Sequence, residues 1–90
     1  GAMEQQKLLH LNLEIDGKDR AGLVNDISEV LSENSINIEN MECHRLGLPD
    51  ISGLVFTSKF KITAADDFDE ALLIQSLHNI SNDLVINLHS

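Results

Sequence analysis

The 90-residue chain has no tryptophan, no tyrosine, one cysteine and one proline, and six lysines and arginines stand against fifteen aspartates and glutamates. Each scarcity excludes something. With Cys43 alone there is no internal disulfide and no Cys-x-x-Cys metal or redox pair, which points to a reducing compartment, the cytoplasm by default. The formal net charge of −9 repels phosphate backbones, and Lys7, Lys18, Arg20 and Arg45 precede Lys59 without clustering. Autonomous nucleic-acid binding is therefore not expected. An RNA-binding sheet also needs stacking rings, and Phe56, Phe60 and Phe68 are the only Phe, Tyr or Trp side chains. No apolar run approaches the roughly 20 residues that span a bilayer, and no basic stretch leads into an apolar one, so no membrane role is expected.

What is present is enough for one core. The apolar content of 42% in a chain of this length fits a single domain without a staple. Gly1-Ala2-Met3 reads as the remnant of a cleaved tag, leaving residues 4–90 as that domain.

Leu9, Leu11, Leu13 and Ile15 alternate with polar residues, which predicts a strand over 7–15 with one buried face. Leu23, Ile27, Val30 and Leu31 recur at helical spacing and predict a helix over 21–33, with Asp19 placed to cap it. Beyond the polar turn Glu33-Asn34-Ser35, Ile36 and Ile38 share one parity while Met41 and Cys43 share the other. A bulge near Glu39-Asn40 reconciles them in a second strand running to about Arg45. Leu46 to Ser52 reads as a hairpin connection. The third strand buries Leu54, Phe56, Phe60 and Ile62 and presents Val55, Thr57, Lys59 and Lys61 on the other face. Ala64-Ala65-Asp66-Asp67 ends it, and a second helix over 67–80 carries Leu73, Ile74, Leu77 and Ile80. Leu84, Ile86 and Leu88 alternate as a last strand. The order predicts an α+β, ferredoxin-like βαββαβ sandwich: a four-stranded antiparallel sheet with two helices on one face.

Few residues suggest chemistry. His10, His44, His78 and His89 fall on different elements without ligand spacing, so surface or packing roles are expected and no metal. Cys43 and His44 are neighbours on a strand and point to opposite faces, which prevents a nucleophile and base pair and makes Cys43 a small core residue. Asp66, Asp67, Asp69 and Glu70 suit the positive end of a helix. Nothing assembles a nucleophile, a base and an oxyanion stabiliser, so the chain is not expected to be an enzyme by itself, and nothing calls for a cofactor. The exception is Gly22, read inside the first turn of the helix. It either leaves amides bare for an anion or a partner chain, or it clears space for the second strand. The residues alone leave both readings open.

The run Asp19-Arg20-Ala21-Gly22-Leu23-Val24-Asn25-Asp26-Ile27, followed after one helix by Ile36-Asn37-Ile38, resembles the ACT domain, which commonly opens Asp-Arg-Pro-Gly-Leu-Leu and then Asn-Ile. The resemblance covers residues 7 to 89, with Ala21 in place of the common proline. It is most similar to the carboxy-terminal ACT domain of RelA/SpoT-type enzymes that make and hydrolyse guanosine tetraphosphate, although Asn87-Leu88-His89 stands where those relatives often carry an arginine. The resemblance implies a regulatory, non-catalytic domain that forms a homodimer, binds an amino-acid effector, and acts on catalytic domains of a GTP pyrophosphokinase parent in the stringent response. Contact with the ribosome is implied only in the full-length parent. Carried over by position, Asp19, Arg20, Ala21, Gly22 and Leu23 fall on the effector or interface loop, and Asn37 and Ile38 on the entry to the second strand. The same resemblance admits a purely structural interaction module, or an amino-acid sensor on a biosynthetic enzyme or transcriptional regulator.

Overall fold

In the computed structural model, which describes residues 7–47 and 53–90, six elements follow the predicted order. They are β1 (Leu8–Lys18), α1 (Leu23–Glu33), β2 (Asn37–Gly47), β3 (Leu54–Ala65), α2 (Glu70–Ile80) and β4 (Val85–His89). The strands pair antiparallel in the order β2-β3-β1-β4. Each half of the chain sends one helix back over the sheet, which is the ferredoxin-like plan. One cluster joins the two layers. It takes Leu13 and Ile15 from β1, Phe56, Phe60 and Ile62 from β3, Leu23, Ile27 and Leu31 from α1, and Leu73 and Leu77 from α2.

The boundaries move for physical reasons. β1 continues three residues past the predicted end because Asp16, Gly17 and Lys18 keep pairing with Thr57, Phe56 and Val55. Gly17 is no turn residue: a Cβ there would lie 2.7 Å from Leu84 Cδ2, so its bareness lets the start of β4 cross closely. The predicted phase slip in β2 is a register shift between Ile38 and Asn40. Past it, Met41 and Cys43 lie opposite Phe60 and Ser58 on the helix-bearing face. The helices do not reach that far across, so Met41 stays 42% exposed while Cys43 is half-buried against the core. β2 runs two residues beyond Arg45, and Leu54 at the start of β3 is exposed rather than buried. The rest of the predicted 46–52 connection lies outside the described residues.

Both helix ends follow local hydrogen bonding. α1 closes with Ser35 at φ 60, where its amide donates to Ser32 O and that of Ile36 donates to Leu31 O. This is the left-handed cap that the polar Glu33-Asn34-Ser35 turn accommodates. α2 starts at Glu70, three residues later than predicted. Asp66 and Asp67 form a turn, and Asp69 is the cap, accepting from the Leu72 amide at 2.9 Å.

Ile27 has no exposed surface and sits in the cluster between the layers. Ile27→Ala should cost about 2–5 kcal/mol in urea unfolding, the range for deleting a buried aliphatic side chain. A loss under about 1 kcal/mol would contradict its place in the core.

Candidate functional site

Between β1 and α1 the chain turns in four residues, and Gly22 makes the turn. It is the N-cap of α1 with φ 80 and ψ 4, in the left-handed region that L side chains rarely adopt. Nothing lies within 4 Å of where its Cβ would stand. The glycine is therefore required by backbone conformation, and the alternative that it clears space for the second strand is overturned. The expected cap is overturned too, because no side chain caps α1. The Leu23 amide donates inward to Arg20 O at 3.3 Å, and the first helical bond runs from the Asp26 amide to Gly22 O at 2.9 Å. That leaves Val24 and Asn25 at the positions whose amides a capping side chain would ordinarily serve.

Asp19 is held by another element. Its Oδ2 accepts from Arg45 Nε at 2.9 Å and its amide donates to Leu54 O at 2.8 Å, so the loop is tied to the far ends of β2 and β3. The carboxylate is only 13% exposed, and its Oδ1 is buried without a partner. Arg20 lies across the helix entrance, with Nη2 donating to Asp26 Oδ2 at 2.7 Å and Nη1 to Ala21 O at 3.0 Å. The entrance thus combines unclaimed backbone donors, a guanidinium and a buried carboxylate oxygen lacking a donor. Arg45 was not among the expected site residues. Its parity was the available signal: it follows Met41 and Cys43 on the helix-bearing face, opposite Phe56, where a charge needs a partner.

The family model of the ACT domain matches residues 12–81, well over half of the chain. The chain belongs to the ACT-domain family. It is in that sense a regulatory, non-catalytic domain. Among solved structures, the ACT domain from GTP pyrophosphokinase of Chlorobium tepidum is similar at TM-score 0.63 and 22% identity, over 92% of this chain and 88% of that one. A formyltetrahydrofolate deformylase from Pseudomonas putida aligns at TM-score 0.71 and 23% identity, over 91% of this chain and 29% of that one. An unknown protein from Galdieria sulphuraria aligns at 0.81 and 16%, over 99% and 53%. At these identities the likeness is one of fold. The chain spans about half of the Galdieria protein and less than a third of the deformylase. No curated protein sequence matches it.

In this ACT domain the expected site residues fall in two groups. Asp19 to Leu23 form the helix entrance, beside the Lys18–Val55 pair. Asn37 and Ile38 pair with Thr63 and Ile62 at the other end of the sheet. Eight residues of β3 separate the two ends, roughly 27 Å, and α1 with the turns at its two ends leads the chain from one to the other. One chain does not bring Asn37 and Ile38 to the entrance.

The four histidines are also dispersed. His10 Nδ1 lies 3.5 Å from Glu39, His78 Nε2 lies 3.1 Å from Leu84 O, and His89 Nε2 lies 3.1 Å from Glu14 Oε2. The hydrogen bond to Glu14 raises the His89 pKa above its ordinary value. Among the described residues no group of three or more His, Cys, Asp or Glu side chains is placed to hold a metal. No helix among them is long and apolar enough to cross a membrane. Cys43 faces the core side and His44, opposite Thr57, faces away. Burial raises the Cys43 thiol pKa.

Arg45→Met keeps the aliphatic stem and strips Asp19 Oδ2 of its donor, so it should cost about 1–3 kcal/mol in urea unfolding. Arg20→Met breaks a pair in which both side chains are more than 40% exposed and should cost about 0–1 kcal/mol. Equal losses would show that Asp19 is not held as described.

Proposed function

We propose that this ACT domain is the sensor of a larger enzyme and takes up a free amino acid at the entrance to α1. The observation that carries the reading is the uncapped helix start beside the unpartnered Asp19 Oδ1. An α-amino acid supplies what each lacks. Its carboxylate accepts from the Val24 and Asn25 amides at the positive end of α1, and its ammonium is attracted to the Asp19 carboxylate, whose Oδ1 is free to accept once the side chain turns outward. Arg20 closes over the carboxylate, Gly22 keeps the approach open, and Ala21 and Leu23 hold the turn. Asn37 and Ile38 act at the interface with a second copy rather than at this entrance.

The domain works as a homodimer, and the effector biases how the two copies and the attached catalytic domains are arranged. It does so only as far as it binds one arrangement more tightly than another. The domain's parent is then a GTP pyrophosphokinase of the stringent response, acting in the cytoplasm. The run Asp19 to Ile27 with Asn37-Ile38, and the fold likeness over most of the Chlorobium domain, support that parent. The net charge of −9 assigns any ribosome contact to other domains of such a parent. The likeness to the deformylase favours a second reading, in which the same sensor serves a metabolic enzyme.

Titrating the ¹⁵N-labelled chain with leucine, isoleucine, valine and glycine up to roughly 20 mM tests the sensor, since effectors of this size bind around the millimolar range or tighter. Saturable shifts of the Val24 and Asn25 amides are expected. Arg20→Met, which removes the guanidinium from the entrance and breaks only an exposed pair, should weaken binding about tenfold while leaving the folded spectrum intact. Absence of saturable shifts for every amino acid would overturn the effector reading.

A further inference from the structure

The sheet face turned away from the helices carries two lysines of β3 in contrasting company. Lys59 stands between Glu14 of β1 and Glu42 of β2, whereas Lys61 stands between Asn12 and Asn40 on the same two strands. Directly opposed side chains lie within about 4.5–5.5 Å at Cβ, so Lys59 has carboxylates on both sides and Lys61 has only neutral amides. Among the described residues, neither the Lys61 ammonium nor the amides of Asn12 and Asn40 make a side-chain hydrogen bond or ion pair.

These three residues line a cleft of about 450 Å³, with His10 and Glu39 on its wall. The β2 bulge between Ile38 and Asn40 forms its rim. The volume falls within the range of small-molecule sites, about 300–1,000 Å³. A cation flanked by two primary amides offers convergent donors to a planar anion, and Glu39 adds an acceptor about one residue away along β2. A dianionic phosphate would meet Glu39, Glu14 and the overall charge of −9 as repulsion, which favours a single carboxylate.

We propose that this open sheet face is a second binding site, for a small monocarboxylic acid bearing a hydroxyl or amino group. The carboxylate accepts from Lys61 Nζ and from the Asn12 and Asn40 amides, and the second group donates to Glu39. The site is separate from the helix entrance. It lies on the opposite face, and six residues of β3 separate Lys61 from Val55, roughly 20 Å along the strand.

NMR titration of the ¹⁵N-labelled chain with lactate and with acetate tests it. Saturable shifts of the Asn12 and Asn40 side-chain amides are expected, with lactate binding tighter than acetate. Lys61→Met should weaken lactate binding by about tenfold or more, while Lys59→Met changes it by less than about threefold. Glu39→Leu, which leaves no acceptor for the hydroxyl, should remove the advantage of lactate over acetate. Both lysines are exposed, so a folded spectrum is expected from each variant. Absence of saturable shifts, or equal weakening by the two lysine variants, would overturn the proposal. Shifts confined to Gly22 through Asn25 would also overturn it, and would leave the helix-entrance reading standing.

Discussion

The left-handed backbone of Gly22 turns the chain from β1 into α1 within four residues, and the rest of that end of the molecule depends on it. The turn starts α1 at Leu23, which is buried and begins the stripe that continues through Ile27 and Leu31 into the core. It also leaves the first amides of α1 without a side-chain cap. A glycine at the N-cap costs only about a few tenths of a kcal/mol relative to a capping side chain, so α1 starts stably while its first amides stay open to a visiting anion. Asp19, the side chain nearest to serving as that cap, is drawn away by Arg45 instead.

The Asp19–Arg45 pair ties the loop to the outermost strand. Arg45 is the last charged residue of β2, an edge strand with little helix cover beyond the bulge, and through it the loop, β2 and the start of β3 are joined. A change in the charge or position of Asp19 is thereby felt at a sheet edge. This is a physical route by which occupancy of the entrance could alter pairing with a second copy, because unpaired edge strands are the natural sites of strand addition. The two faces of the sheet divide the labour: one is consumed by the core, and the other is left polar, with its charges arranged by register.

Much of the architecture was legible because hydrophobic periodicity is a direct record of burial. The alternation in β1 and β3, the stripes of both helices and the phase slip in β2 each named the residues that meet in the core. The misses come from backbone conformation and from long-range polar pairing. Nothing in Asp16-Gly17-Lys18 distinguishes a strand glycine cleared for Leu84 from a turn glycine. Asp66 and Asp67 look as good a helix start as Asp69, and only the backbone path out of β3 decides among them. At the site, the importance of Gly22 was visible but its reason was not, since positive φ and a missing neighbour leave the same letter in the sequence. Sequence position offers Asp19 as a local cap, and the partner that claims it lies 26 residues away. The motif names Asn37 and Ile38, at the entry to β2, alongside the loop, and the strand register puts them at the other end of the sheet.

Gly22 is held by conformation rather than by crowding. Chemical synthesis of the chain with D-alanine or L-alanine at position 22 separates the two directly. A D-residue adopts positive φ without strain, so D-alanine should match or exceed glycine in stability, by up to about 1 kcal/mol, through the lowered entropy of its unfolded chain. L-alanine should lose about 1–2 kcal/mol from the left-handed conformation. Equal losses for both enantiomers would mean that a neighbour fills the space beside Gly22, and the open helix entrance would not exist.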